Sequence, residues 1–142
     1  MREEDGFVGG FEALPFGLLV FVVGTLLLVN AWAVIDGNLA ASAAAREAVR
    51  TYVETIDVEA AELAAVSAIE GHGKDLARAE VHWLERSTER CRPATVEVSY
   101  RVPGIVLPWV TGFGTITTKA SHTEIVDPWR SGLDVGEGPP CG

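Results

Sequence analysis

Residues 13–35 are ALPFGLLVFVVGTLLLVNAWAVI, and they contain no charged side chain. Glu12 precedes this apolar run and Asp36 ends it. As an α-helix the run would be roughly 35 Å long, a little more than the ~30 Å hydrocarbon core of a bilayer. The run therefore predicts a membrane-spanning helix near the N-terminus.

A cleaved secretory signal is the alternative interpretation of this run. Signal peptides have a basic first segment and an apolar stretch of ~7–15 residues that ends at small residues. Here the flank MREED is mostly acidic and the run is longer, although residues 40–42 (AAS) offer a small-residue site. We therefore expect a retained helix.

The chain has 142 residues and a formal net charge of −9. This length allows one membrane segment and one small domain. The acidic balance leaves no basic patch for a phosphate backbone, so nucleic acid is not an expected partner. No Gly-rich phosphate loop, nucleophile elbow or nucleophile with a base at motif spacing occurs, so we predict neither an enzyme nor a cofactor. His72, His82 and His122 lack metal-ligand spacing, so no metal is predicted.

Two helices are predicted before any strand. The segment NLAASAAAREAVRTYVETI is rich in helix formers and should continue the apolar helix to about Ile56. Val49, Val53 and Ile56 form its apolar stripe. The residues expected to face water are Arg46, Glu47, Arg50 and Glu54. Asp57 should be the N-cap of a second helix, which ends at residues 71–73 (GHG).

The rest of the domain predicts strands. In ATVEVSYRV, apolar and polar residues alternate, and the apolar face comprises Val96, Val98, Tyr100 and Val102. A Thr-rich strand is expected near Gly114–Val126. The segment Arg78–Glu85 fits a strand, and helix competes with it. We predict an α+β fold in which helices cover an antiparallel sheet of about three strands.

The two cysteines, Cys91 and Cys141, are expected to form a disulfide that ties down the Gly/Pro-rich tail 128–142. Free thiols or an incomplete metal pair are the alternatives. An even cysteine pair favours an oxidising compartment, which places the domain outside the cytoplasm. The expected divisions are therefore a leader or cytoplasmic segment 1–10, the helix 11–56, the exported domain 57–127 and the tail.

Some side chains allow two interpretations. Trp109 and Phe113 either cap the small core or form a contact patch for a partner or membrane. Thr25 and Asn30 are polar positions suited to hydrogen bonds with a neighbouring helix. Glu12 either marks the interfacial edge of the helix or pairs with the N-terminal amine of a neighbouring subunit.

The order of these features resembles the TadE-like minor pilins, or pseudopilins, of the tight-adherence (Tad) class of type IV pilus systems. The resemblance rests on the leader with GFVGGFEALPF, the apolar helix, the AAREAVR block (Ala44–Arg50), and VEVSYRVPGIVLPW with the Thr-rich strand after it. It implies a structural subunit whose helix packs with others in a pilus or its assembly base.

The resemblance also implies processing by a prepilin peptidase, which cuts after a Gly so that a Glu follows five residues into the mature chain. Glu12 matches this acid. A cut after Gly6 leaves one residue more than the pattern, and a cut after Phe7 restores the count without the glycine. The implied partners are membrane lipid and other pilus subunits or assembly proteins. The competing hypothesis is a monomeric, membrane-anchored binding module such as a sensor or adhesin ectodomain.

Overall fold

The computed structural model describes residues 8–104 and 114–127, with side chains from Ala13 onward. It has the predicted α+β layout, with two helices and a three-stranded antiparallel sheet. The elements are α1 (Val8–Thr55), α2 (Val58–Gly71), a short 3-10 turn (Leu76–Arg78), β1 (Ala79–Glu85), β2 (Pro93–Pro103) and β3 (Thr115–Ile125).

Helix α1 is one unbroken element of 48 residues, with Pro15 inside it. This confirms that the apolar run continues without interruption into the domain. The helix begins at Val8, earlier than the expected residue 11. It ends at Thr55, one residue before the expected end near Ile56. Ile56 donates its N–H to the Tyr52 carbonyl at 2.7 Å, which is the last hydrogen bond of the helical pattern. Its φ of 56° is left-handed, and this turns the chain towards the next helix.

Helix α2 begins and ends where the sequence predicts. The Asp57 carboxylate accepts hydrogen bonds from the backbone N–H groups of Glu59, at 2.9 Å, and Ala60, at 3.3 Å. This is the expected N-cap geometry, which satisfies two otherwise unpaired donors. After the helix, Gly73 has φ 66°, a conformation that glycine adopts without strain.

The sheet has strand order β1-β2-β3, and both pairs are antiparallel. The central strand places Val98 opposite Val81 on one side and Ala120 on the other. The ambiguous segment Arg78–Glu85 forms a strand from Ala79, so its helical alternative is wrong. Its polar residues Glu80 and His82 lie on the exposed face of the sheet. Its backbone groups bond to β2, whereas in a helix they would bond to one another along the chain.

The core lies between the inner face of β2 and helix α1, and α2 packs on α1 and adds Ala61, Ala65 and Ile69 to it. The predicted apolar alternation is confirmed, because Val96, Val98, Tyr100 and Val102 are all buried. The predicted α1 stripe is only partly right, since Val49 is buried whereas Val53 is half-buried and Ile56 lies outside the helix. The helix instead packs through small side chains. These allow its backbone to lie close to the sheet, whose larger side chains fill most of the core volume. The small side chains are those of Ala41, Ala44, Ala45 and Ala48. The four residues expected to face water are exposed.

The domain has two distinct ends along α1. The near end adjoins the apolar part of the helix, where Gly37 lies against Val102 and Tyr100 of β2. The far end holds the corner between α1 and α2 and the connection between β1 and β2, where Cys91 donates its N–H to the Val126 carbonyl at 3.0 Å. Strand β3 therefore runs from the near end to the far end, in the same direction as α1.

Candidate functional site

The apolar half of α1, residues 13–35, is largely unpacked, and only Ala33 and Val34 at its end pack against the core. The most apolar 18-residue window in this helix has no buried residue. A helix that is apolar all round needs either lipid or other helices around it. By length and composition, α1 is long and apolar enough to cross a membrane. The large exposed side chains in this half are Leu14, Phe16, Leu18, Leu19, Val20, Phe21, Val22, Val23, Leu27, Leu28, Val29, Trp32 and Ile35.

The polar positions of the apolar half differ in how they are satisfied. The Thr25 hydroxyl donates to the Phe21 carbonyl of its own helix at 2.8 Å. One helical turn places that carbonyl within reach, so this hydroxyl does not need a second helix as a partner. For Asn30, a hydrogen bond to a neighbouring helix stays a prediction.

Glu12 lies within α1, one residue before the described side chains begin. Its carboxylate therefore lies outside the described part, as do Gly6 and Phe7, the two candidates for leader processing. The roles of these three residues remain predictions from the sequence. Trp109 and Phe113 also fall outside the described residues, so the choice between core and contact patch stays open.

The first charge after the apolar run fastens the helix to the domain. The Lys74 ammonium donates to the Asp36 carboxylate, and the two residues are 38 positions apart in the chain. The Lys74 side chain is only 18% exposed, whereas that of Asp36 is 42% exposed. A half-buried pair is less screened by solvent than a surface pair, and it joins α1 to the segment between α2 and β1.

The next residue is the point of closest approach between helix and sheet. A Cβ atom added at Gly37 would lie 2.7 Å from Val102 Cγ2 and 3.2 Å from Tyr100 Cδ1. Only glycine allows this contact without a shift of the Val102 side chain or of the helix. The sequence contains a signal for it, because an isolated glycine within a helical pattern often marks a close approach, but the pattern does not name the partner.

At the far end, Cys91 lies beside Val126, the residue that follows β3. Its N–H bonds to the Val126 carbonyl, and the Val126 N–H bonds to the Arg92 carbonyl, each at 3.0 Å. No free cysteine occurs among the described residues. Cys141 lies outside them, so its pairing with Cys91 stays a prediction. The position of Cys91 beside the end of β3 is suited to tying down a segment that starts there.

The water-facing side of α1 near the far end carries its own charge pair. Arg50 Nε donates to Glu54 Oε1 at 3.1 Å. This hydrogen bond, and then the negative charges of Glu54 and Glu47, raise the pKa of the Arg50 guanidinium. The pair is exposed, so we expect it to contribute little to stability.

The outer face of the sheet is covered by paired charges. Arg101 Nη2 lies 2.9 Å from Glu80 Oε1, and Lys119 Nζ lies 2.8 Å from Glu97 Oε1. Thr95 and Thr123 exchange a hydrogen bond at 2.9 Å on the same face. Such cross-strand pairs are typical of a solvated sheet face.

The three histidines lie apart from one another in the fold. His82 Nε2 is 3.6 Å from Glu80 Oε2, and His122 Nε2 is 3.8 Å from Glu124 Oε1. His72 is the C-cap of α2. Within the described ranges, no group of three or more His, Cys, Asp or Glu residues is arranged to hold a metal ion.

Comparisons with protein-family models, characterised proteins and solved structures found no match for this chain. The functional argument therefore depends on the helix, its junction with the domain and the resemblance in the sequence.

Proposed function

We propose that this chain is a minor-pilin-like structural subunit of a Tad-type pilus or of its assembly machinery. It is anchored by one membrane span with the domain outside the cytoplasm, and packing of the apolar half of α1 against other subunits incorporates it. The observation that carries the proposal is the apolar half of α1, which is exposed on all sides as far as Trp32 and is continuous with a folded domain.

The continuity of α1 supports a retained helix over a cleaved secretory signal. The small residues Ala40 and Ala41, which offered a cleavage site, are 0% and 1% exposed within the helix where it packs on the sheet. Removal of residues before Ser42 would also remove Asp36 and Gly37, which fasten α1 to the domain.

Glu12 supports the choice of a subunit over a simple anchor. A carboxylate at the edge of a membrane helix costs little while it stays hydrated at the interface. When the helix enters a bundle the carboxylate loses water, and a cation such as the N-terminal amine of a neighbouring subunit offsets that loss. An isolated anchor gains nothing from an acid at this depth.

The alternative function is a membrane-anchored binding module that acts as a monomer. One observation favours it, since the Thr25 hydroxyl is satisfied within its own helix and needs no partner helix. The two functions differ in assembly, because a pilin-like subunit must associate with other subunits and an anchored module acts as a monomer.

Replacement of the Glu12 carboxylate tests the proposal. Glu12→Gln keeps the size of the side chain and removes its charge. We expect normal amounts in the membrane and a normal domain melting temperature, but severalfold less subunit recovered with crosslinked pilus or assembly complexes. The N-terminal mass of the wild-type protein shows whether a leader is removed after Gly6 or Phe7.

Glu62→Gln is the matched control, because Glu62 is an exposed acid on α2, away from the apolar half of α1. It should be recovered with the complexes at wild-type levels. Equal recovery of Glu12→Gln and the wild-type protein would contradict the pilin proposal and favour the anchored module.

A further inference from the structure

One side of α1 faces away from the domain and carries exposed residues from the apolar half to the last turns of the helix. Ala48 is buried in the core, whereas Leu39 is 57% exposed. These residues are nine positions apart, about two and a half helical turns, so they lie on opposite sides of α1. The exposed residues in line with Leu39, together called the free side of α1, are Leu28, Trp32, Ile35, Leu39, Arg46 and Arg50.

The apolar part of the free side continues past Asp36, the charge that ends the apolar run. In a span that ends at Asp36, lipid covers Trp32, but Leu39 lies ~4.5 Å beyond Asp36 along the axis. One exposed leucine is ordinary on a protein surface. Leu39 differs because it extends an apolar stripe out of the hydrocarbon, where lipid tails cannot cover it. Such a stripe is suited to a second helix that runs beside α1 across this boundary.

The charged part of the free side is balanced. Arg46 and Arg50 lie in line with Leu39, and both are exposed. Two exposed acids, Glu47 and Glu54, flank them. The whole chain has a formal net charge of −9, which makes copies repel one another, and the exposed charges of α2 are all acidic. The free side of α1 is therefore a surface on which two copies can approach without net repulsion.

We propose that the free side of α1 binds the free side of α1 in a second copy, with the two helices parallel. Both copies cross the membrane in the same direction, so a two-fold axis normal to the bilayer relates them. Because both signs of charge are present, an arginine of each copy lies beside a glutamate of the other. The sheet packs on the opposite side of each helix, which leaves the contact open. The inference rests on the proposed function, because it takes α1 as the element through which the subunit packs.

Photo-crosslinking of the full-length protein in its membrane tests the contact. A photoreactive benzophenone amino acid replaces Leu39, and two differently tagged copies are produced together. We expect light to give a dimer adduct that carries both tags. Leu63 is the matched control position, because it is a leucine of α2 with 63% exposure, away from the free side. Position 39 should give severalfold more of the two-tag adduct than position 63.

Two results would overturn the contact between copies. In the first, position 39 gives no more of the two-tag adduct than position 63. In the second, position 39 forms adducts only with other subunits. That result would remove the second copy as the partner, but packing through α1, and with it the proposed function, would stand.

Charge exchange tests the pairing of arginine with glutamate. In one variant Arg46→Glu and Arg50→Glu make the side acidic, and in a second variant Glu47→Arg and Glu54→Arg make it basic. Each variant alone should give severalfold less two-tag adduct from position 39, because like charges meet, and the two variants together should restore it. All four side chains are exposed, so each variant should keep a melting temperature close to that of the wild type. An undiminished adduct from either variant alone would overturn the proposal.

Discussion

Gly37 links the sequence of α1 to the position of the whole domain. At most helix positions glycine is unfavourable by ~1 kcal/mol relative to alanine. Here a Cβ atom would overlap Val102, so the missing side chain is what lets helix and sheet pack at this distance. Tyr100 lies close to the same point and limits relaxation on that side.

Gly37→Ala should therefore destabilise the domain although alanine favours helix. Overpacking of a close contact costs ~1–3 kcal/mol, which at a contact as short as this one should outweigh the ~1 kcal/mol gained in helix propensity. We expect a lower melting temperature of the full-length protein in detergent, measured by circular dichroism.

Gly71→Ala is the control for the preceding change, because a Cβ atom at Gly71 meets nothing within 4 Å. Its effect should stay within about 0.5 kcal/mol. If Gly37→Ala were as harmless as Gly71→Ala, the close contact with Val102 would not constrain the fold.

At the scale of elements, the corner between α1 and α2 depends on a cap and a turn. Ile56 occupies a left-handed conformation that is unfavourable for a β-branched residue, and Asp57 then starts α2 directly. The two hydrogen bonds to the Asp57 carboxylate hold the first turn of α2 at this tight corner.

Asp57→Ala should cost ~1 kcal/mol of stability, because two backbone donors of α2 lose their acceptor. Denaturant unfolding of the full-length protein measures this change. Asp75→Ala removes the equivalent cap from a 3-10 turn of three residues and should cost less. An equal or greater loss of stability for Asp75→Ala would show that the Asp57 cap contributes no more to stability than the cap of the short turn.

The elements could be predicted because their signals are local. The uncharged run, the alternation in β2 and the cap at Asp57 each depend on neighbours within a few residues. The junction could not be predicted in the same way, since Lys74 finds Asp36 from 38 residues away. Nothing local distinguishes that lysine from one that faces solvent.

The face through which α1 packs also could not be predicted from the spacing of apolar residues. Large apolar residues at helical spacing, such as Val49 and Val53, suggest the stripe, whereas the structure packs alanines against a valine-rich strand. Close approach selects small side chains on the helix when the sheet supplies the volume. Glu12, whose replacement tests the proposed function, is identified only by its position before the apolar run.

For the whole molecule, the unbroken helix α1 joins its apolar half directly to the domain. Rotation of α1 about its long axis must turn the sheet with it, since no linker absorbs the torsion. One residue inserted between Leu27 and Leu28 would advance the domain by about 100° in azimuth and ~1.5 Å along the axis.

Such an insertion should leave the melting temperature of the domain unchanged, because the core begins beyond the inserted site. In a pilus-like assembly it would bring the wrong face to each neighbour, so co-assembly with other subunits should fall severalfold. A four-residue insertion, with a net turn of only about 40°, should restore part of it. If both insertion variants co-assembled as well as the wild-type protein, the neighbouring subunits would not hold this subunit at a fixed rotation about the axis of α1.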